Sequence, residues 1–394
     1  MKRRVVFTKN SIPFYVAFFV YFLTKYSEYI AWSNLKISPV LDLCKNMSYL
    51  LCFLIIIFNI KLYSHIKLFS MIIICIVGVA TVYQVFFNDE KSLFVVLLFS
   101  AAFMGNDFIK FLKLNLGLHI SCFLLTLCMS LCGLAENVIK EQEKFGDIWS
   151  RMSLGFNYPG QPMMFMMPIV FLFYYIYEKR INIFYFLLSI LCVLSVYVFS
   201  QTIMPTLICI GYIVVVSCFR NIAKWKRIYW LIPLAAGVTF IVLFKHNKGM
   251  GIADKIDRIS NYRFSLGLTA IQQYGIFWYG TGFKNINTKE QYLIVDSEYI
   301  YMLVSNGILY LVLAVALFTV FTKWAVDKKD LLLVWICLFL ALLAVFNNGI
   351  YNLLTNPFIV MLCPILWGLC SKVKLSTKIK IRRIWKINRD VKNE

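Results

Sequence analysis

The residues best suited to chemistry gather in one polar stretch, residues 245–297, which holds seven Lys or Arg against four Asp or Glu, a formal charge of +3. Arg258 and Arg263 lie in Ala253-Asp254-Lys255-Ile256-Asp257-Arg258-Ile259-Ser260-Asn261-Tyr262-Arg263-Phe264. A guanidinium fork holds phosphate oxygens bidentately and keeps its charge at any working pH, so these arginines suit an anionic headgroup, with Lys255 beside them. The spacing of Ile256, Ile259 and Arg263 predicts an amphipathic helix at a membrane surface. The other reading is that the arginines anchor to lipid headgroups or pair with Asp254 and Asp257. Further on, Gly280-x-Gly282 says that the chain turns tightly. Asp296 stands just before the next apolar run, where a catalytic carboxylate is possible. Asp296 equally suits capping the N–H groups of the helix that follows.

A second polar stretch, residues 136–159, ends in Arg151-Met152-Ser153-Leu154-Gly155-Phe156-Asn157-Tyr158-Pro159-Gly160-Gln161. Arg151 before a Pro-Gly turn reads either as an interface anchor or as a second phosphate ligand. Charges inside apolar runs cost about 2.5–3.5 kcal/mol each at a helix centre. Lys25 with Glu28 and Asp42 with Lys45 are each three residues apart, share a helical face and can neutralise one another. His246 is expected to be incidental. No Ser-His-Asp arrangement, phosphate-binding Walker loop or metal-ligand cluster is visible.

The scaffold that must position these groups is a membrane one. The chain has 394 residues, 61% of them hydrophobic and 15% charged, with a mean hydropathy of +0.75. A soluble domain of this length needs far more polar surface. Runs of about 20 apolar residues, long enough to cross a bilayer, recur throughout. Twelve spans are predicted, at about 12–33, 39–60, 68–87, 92–109, 116–135, 160–177, 182–200, 203–219, 228–244, 298–322, 331–350 and 353–370. The whole chain, residues 1–394, is thus expected to be one transmembrane all-α domain, with an outer loop at 136–159, a large extracytoplasmic loop at 245–297 and a basic cytoplasmic tail at 371–394. The first apolar run lacks a small-residue cleavage site and reads as a retained span. The twelve cysteines sit within or beside apolar runs, with no CxxC pair, and read as packing residues.

A net charge of +21 on such a chain reports topology rather than nucleic-acid binding. Alternate connecting segments, starting with the N-terminus, hold 26 of the basic residues and the opposite set 12, seven of those in the long loop. By the positive-inside rule both termini face the cytoplasm and the loop faces outside. The tail is either a solvated stop-transfer segment or a contact with the anionic inner leaflet.

The stretch Arg151-x-Ser153-Leu154-Gly155-Phe156-x-x-Pro159 resembles a pattern of the O-antigen and capsular polysaccharide polymerases, relatives of the O-antigen ligases. So do Ser200-Gln201-Thr202 and the block formed by Arg263, Tyr279-Gly280-Thr281-Gly282, Val295-Asp296-Ser297-x-Tyr299-Ile300 and Asn306-Gly307-Ile308. The likeness in architecture, a dozen spans with one large outward loop, covers nearly the whole chain. Where that family often has His-Pro-Asn and Ser-Arg-Thr, this chain has Tyr158-Pro159-Gly160 and Ser200-Gln201-Thr202, which leaves phosphate binding to Arg151, Arg258 and Arg263. The resemblance implies a metal-independent, cofactor-free membrane glycosyltransferase of the bacterial plasma membrane. It would join undecaprenyl-pyrophosphate-linked repeat units on the outer face into O-antigen, capsule or exopolysaccharide. It implies catalytic roles for Arg258, Arg263, Asp296 and Glu298. Substrate-binding roles fall to Arg151, Tyr158, Lys255, Gly280, Gly282 and Tyr299. Membrane lipids, a flippase and a chain-length regulator are the implied partners. A ligase shares this architecture. A lipid-linked oligosaccharide flippase or other transporter is the reading from another class; the middle spans, however, carry almost none of the charges that line a transport cavity.

Overall fold

Backbone polar groups within a membrane find no water, so long apolar runs fold as helices. The computed structural model of the chain follows that rule and describes residues 11–32, 38–63, 68–144, 147–178, 182–218, 226–249, 251–287 and 292–368. The N-terminal Lys2, Arg3, Arg4 and Lys9 and the basic tail lie outside the described residues. In order, the elements are α1 (Ser11–Ser27), α2 (Ser38–Phe58), α3 (Leu68–Phe87), α4 (Ser92–Ala102), α5 (Phe108–Leu131), a hairpin of β1 (Ile139–Lys144) and β2 (Asp147–Met152), α6 (Gln161–Tyr177), α7 (Ile183–Ser200), α8 (Ile203–Cys218) and α9 (Leu231–Asn247). Then come α10 (Gly251–Ile259), α11 (Arg263–Tyr274), a two-residue pairing of β3 (Ile286–Asn287) with β4 (Tyr292–Leu293), α12 (Glu298–Tyr301), α13 (Ile308–Asp327), α14 (Leu331–Ala344) and α15 (Leu362–Leu366). Among the described residues five helices are long and apolar enough to cross a membrane: Pro39–Phe58, Phe108–Leu131, Ile183–Ser200, Ile228–Asn247 and Ile308–Asp327. The protein is mostly helical, and little of it is sheet.

Helix starts are fixed by short polar side chains that satisfy free N–H groups. Asp107 accepts from Lys110 N at 3.1 Å ahead of α5, Asn182 from Tyr185 N at 3.1 Å ahead of α7, and Asp330 from Leu333 N at 3.3 Å ahead of α14. The core near α1 is aromatic. Phe14, Phe18, Phe22 and Tyr26 recur every fourth residue on one buried face. That face meets α5 and α4 edge-on, with Phe18 4.7 Å from Phe111 and 6.1 Å from Phe99 between ring centres. Beyond α1 the chain runs extended and pairs with the segment after β2: Ala31 N donates to Gly155 O at 2.9 Å and Asn157 N to Tyr29 O at 2.9 Å.

The last three predicted spans take a different form. The first of them is a single turn, α12, then a π-helical turn over Met302–Asn306, a break at Gly307 with φ +91°, and only then α13. Carbonyls freed by the wide turn are taken up from outside it: Gly282 N donates to Ser305 O at 3.0 Å and Gln84 Nε2 to Asn306 O at 2.8 Å. α14 stops at Ala344, and residues 345–356 run as irregular, mostly buried backbone into a 3-10 turn, Pro357–Met361, and the short α15. Asn347, Asn348, Gly349, Asn352 and Asn356-Pro357 explain the break, since each is a poor helix residue. Residues 245–297 are a helical segment in their first half: α9 continues to Asn247, and α10 and α11 follow.

Candidate functional site

Buried irregular backbone needs hydrogen-bond partners from elsewhere, and here Glu298 supplies the acceptors. Its Oε2 accepts the N–H of Gly349 at 2.7 Å and of Ile350 at 2.8 Å, while Oε1 has only a 3.5 Å contact from Tyr351 N. Thr355 Oγ1 donates to Gly349 O at 2.7 Å and Asn356 Nδ2 to Ile350 O at 2.8 Å, which closes the segment on itself. The membrane-length helix of this region starts at Ile308, so Glu298 stands ahead of it. Burial pushes the Glu298 carboxyl up to about 7, and the three backbone N–H groups oppose that rise without cancelling it. Tyr299, next along, is buried and donates to Ala341 O at 3.2 Å, which fixes α12 against α14.

Glu298 lines a cavity of about 420 Å³. Six tyrosines (Tyr21, Tyr29, Tyr49, Tyr301, Tyr310 and Tyr351) share its wall with Lys25, Lys45, Lys91, Glu90, Asn285 and Asn348. The expected ion pairs at the ends of α1 and α2 are present, Lys25 with Glu28 at 2.7 Å and Lys45 with Asp42 at 2.9 Å. They are also joined, because Lys45 reaches Glu28 as well. A buried carboxyl of raised proton affinity, one oxygen nearly unengaged, beside polar and aromatic walls, is an arrangement able to exchange a proton with a bound hydroxyl. The cavity walls come from α1, α2, α4, α12, α13 and the irregular segment, so the site is made by elements far apart in sequence.

The arginines expected to act together are separated. Arg258 and Lys255 are exposed on α10. Arg263 opens α11, a different helix, so the predicted face shared with Ile256 and Ile259 does not exist. The break is at Asn261 and Tyr262, both left-handed with φ +63° and +60°. Asp257 is buried behind that break and caps α11, accepting from Phe264 N at 2.8 Å and Ser265 N at 3.2 Å. Arg263 Nε lies 3.2 Å from Asp296 Oδ2, and its Nη1 donates to Phe346 O. Asp296 therefore serves as the partner of Arg263, in place of the helix cap expected of it; the residue at that cap is Ser297. Neither Arg258, Arg263 nor Asp296 is among the residues that line the cavity.

His246 is not incidental. Its Nδ1 is 2.7 Å from Asp254 Oδ1 and its Nε2 is 3.0 Å from Ser265 Oγ, a Ser-His-Asp arrangement that residues 246, 254 and 265 do not reveal in sequence. The Ser265 hydroxyl donates to Asp257 Oδ2, so its one proton is committed to a carboxylate. The network ties α9, α10 and α11 together.

Arg151, read as an interface anchor or a phosphate ligand, is 4% exposed. Its Nε donates to Ser200 O at 3.1 Å and its Nη2 to Thr202 Oγ1 at 3.2 Å, with the Tyr158 ring 5.8 Å away. Lys140 Nζ stands 4.7 Å from the same ring. Two sequence motifs thus meet, one from β2 and one from the α7–α8 turn. Gly280 and Gly282 sit over the π-helical turn. A Cβ at Gly280 would be 2.2 Å from Ser305 O, and one at Gly307 would be 2.3 Å from Gly280 N, so the two backbones touch because both are glycine. Sequence reasoning missed the cavity lysines and tyrosines as a site. The only signal was Lys25 and Lys45 at matching depths in two adjacent spans.

No family model, no curated protein and no solved structure matches this chain.

Proposed function

We propose that the chain is a membrane glycosyltransferase that joins undecaprenyl-pyrophosphate-linked oligosaccharide repeat units into polymer on the outer face of the bacterial plasma membrane. The observation that carries this reading is Glu298, a buried carboxyl raised to about 7 in the wall of a tyrosine- and lysine-lined cavity. A general base of that proton affinity is suited to work near neutral pH. In the reaction, a sugar hydroxyl of one lipid-linked unit attacks the anomeric carbon at the lipid-bearing end of the growing chain. A new C–O bond forms, the bond from that carbon to the pyrophosphate oxygen breaks, and undecaprenyl pyrophosphate leaves with the electron pair. The hydroxyl proton passes to Glu298 Oε1. Lys245, Lys248, Lys255 and Arg258, all exposed on α9 and α10 or the turn between them, provide a cationic surface for the lipid pyrophosphate.

The test is complementation of a deletion strain. Wild-type chain restores long polymer; Glu298→Gln, which keeps the side-chain volume but cannot take the proton, leaves single repeat units on undecaprenyl pyrophosphate at matched protein level. Full-length polymer that fails to reach its final acceptor in the deletion strain would identify a ligase instead. Lipid-linked units trapped on the cytoplasmic face would identify a flippase.

A further inference from the structure

We infer that the cavity binds uncharged pyranose rings and excludes the pyrophosphate of the lipid-linked donor. This specificity rests on the glycosyltransferase reading above and assigns the cavity to the glycan alone.

Each lysine of the wall already has a carboxylate partner: Lys25 with Glu28 at 2.7 Å, Lys45 with Glu28 and Asp42, and Lys91 with Asp89 at 3.2 Å. Glu90 and Glu298 add two more carboxyl groups to the same wall. A pyrophosphate entering here would find no uncompensated cation and would approach several carboxylates of its own sign, an arrangement that rejects it. A neutral polyol meets the opposite situation. An ammonium has three N–H donors, of which Lys25 gives one to Glu28 and Lys91 one to Asp89, and the carboxylates retain free lone pairs. Sugar hydroxyls both donate and accept, so alternating ammonium and carboxyl groups can satisfy a ring rim from either side.

The aromatic content of the wall points the same way. A pyranose has an apolar C–H face inside a polar rim, and tyrosine offers an apolar ring with a polar tip. Tyr29, Tyr49 and Tyr301 are only partly buried, and Tyr21 and Tyr49 are 6.1 Å apart at an angle of 43°, so they do not cover each other's faces. The volume of about 420 Å³ is in the range of small-ligand sites, about 300–1,000 Å³.

The experiment uses the full chain in phosphatidylcholine nanodiscs, which avoids sugar-headed detergents. Saturation-transfer NMR is recorded with a panel of neutral methyl pyranosides, with methyl glucuronide and with inorganic pyrophosphate. At least one neutral glycoside is expected to bind, with affinity unchanged at about 0.5 M salt, where exposed ion pairing is screened. Tyr49→Leu and Tyr301→Leu are expected to weaken it by about fivefold or more, as for truncation of an aromatic anchor. Tyr49→Phe and Tyr301→Phe, which keep the ring, should retain binding and control for folding. Stronger signals from the glucuronide, or from pyrophosphate competing with the glycoside, overturn the inference. So does the absence of any neutral binder, or binding indifferent to both leucine variants. Normal polymer in a deletion strain sinks the glycosyltransferase reading while glycoside binding survives; a Glu298-dependent polymerase that binds no neutral glycoside sinks only this specificity.

Discussion

Arg263 Nε lies 3.2 Å from Asp296 Oδ2, so two residues that each suit catalysis by type are engaged with one another. The Asp296 side chain is 39% exposed, and an ion pair that open contributes about 0.2–1 kcal/mol. The bond from Arg263 to the Phe346 carbonyl matters more, since a charged donor to a carbonyl contributes about 1.5–3 kcal/mol.

Arg263→Ala is therefore expected to lower thermal stability by about 2–3 kcal/mol. Arg263→Lys should fall between the two, because an ammonium cannot hold both partners in one plane. Asp296→Asn should stay close to wild type in stability and polymer formation. Unfolding in micelles and polymer length together check this. Loss of polymer in Asp296→Asn with full activity in Glu298→Gln would transfer the base to Asp296 and remove the cavity from the reaction.

The close contact of Gly280 with Gly307 sets up a second comparison. Both have positive φ, +88° and +91°, and a Cβ on either meets backbone within 2.3 Å. Gly280→Ala and Gly307→Ala must move main chain to fit, so each is expected to cost about 1–3 kcal/mol in strain, with the clash added. Gly282 also has positive φ, +65°, but its nearest neighbour to a new Cβ is 3.6 Å away. Gly282→Ala should thus cost only about 1–2 kcal/mol, the left-handed penalty alone. Protein level and melting temperature should rank Gly282→Ala above the other two; an equal fall in all three would mean that the π-helical turn is not braced by the 279–282 strand of chain.

What the sequence shows and hides follows from the kind of signal each feature has. Long apolar runs such as those of α2, α5, α7 and α9 are legible because length and apolarity are all a bilayer asks of a helix. Apolar neighbours let residues 298–307 and 345–356 read as parts of spans, although Glu298, Gly307 and the asparagines lower the local hydropathy. Those breaks show only when the partner of each freed backbone group is found, and the partners are remote: Glu298 for Gly349, Gln84 for Asn306. The Lys25–Glu28 and Asp42–Lys45 pairs could be read from i, i+3 spacing; that one Glu28 links both could not. The six tyrosines are spread over more than three hundred residues, so no local pattern marks them as one wall. Helical periodicity does not register the left-handed pair Asn261-Tyr262, so from sequence Arg263 reads as part of the preceding helix.

Glu298 should make stability and turnover respond to pH in opposite senses. Its carboxyl in the folded chain is raised from the ordinary glutamate value of 4.5 to about 7, so the folded state holds this proton more tightly than the unfolded state does. The stabilising contribution is complete below about pH 4.5 and is lost as pH rises through about 7, where a buried carboxylate has to ionise. A shift of this size corresponds to a loss on the order of 3 kcal/mol across the window. A general base works in its ionised form, so polymer formation should instead climb through the same range and level off above it. Melting temperature of the purified chain between pH 5 and pH 8 is expected to fall by more in wild type than in Glu298→Gln, which has no proton to lose. Initial rates of polymer formation in isolated membranes should rise over that interval. Parallel melting profiles for the two proteins would mean that the three backbone N–H groups hold Glu298 ionised throughout, and the rate would then be flat with pH as well.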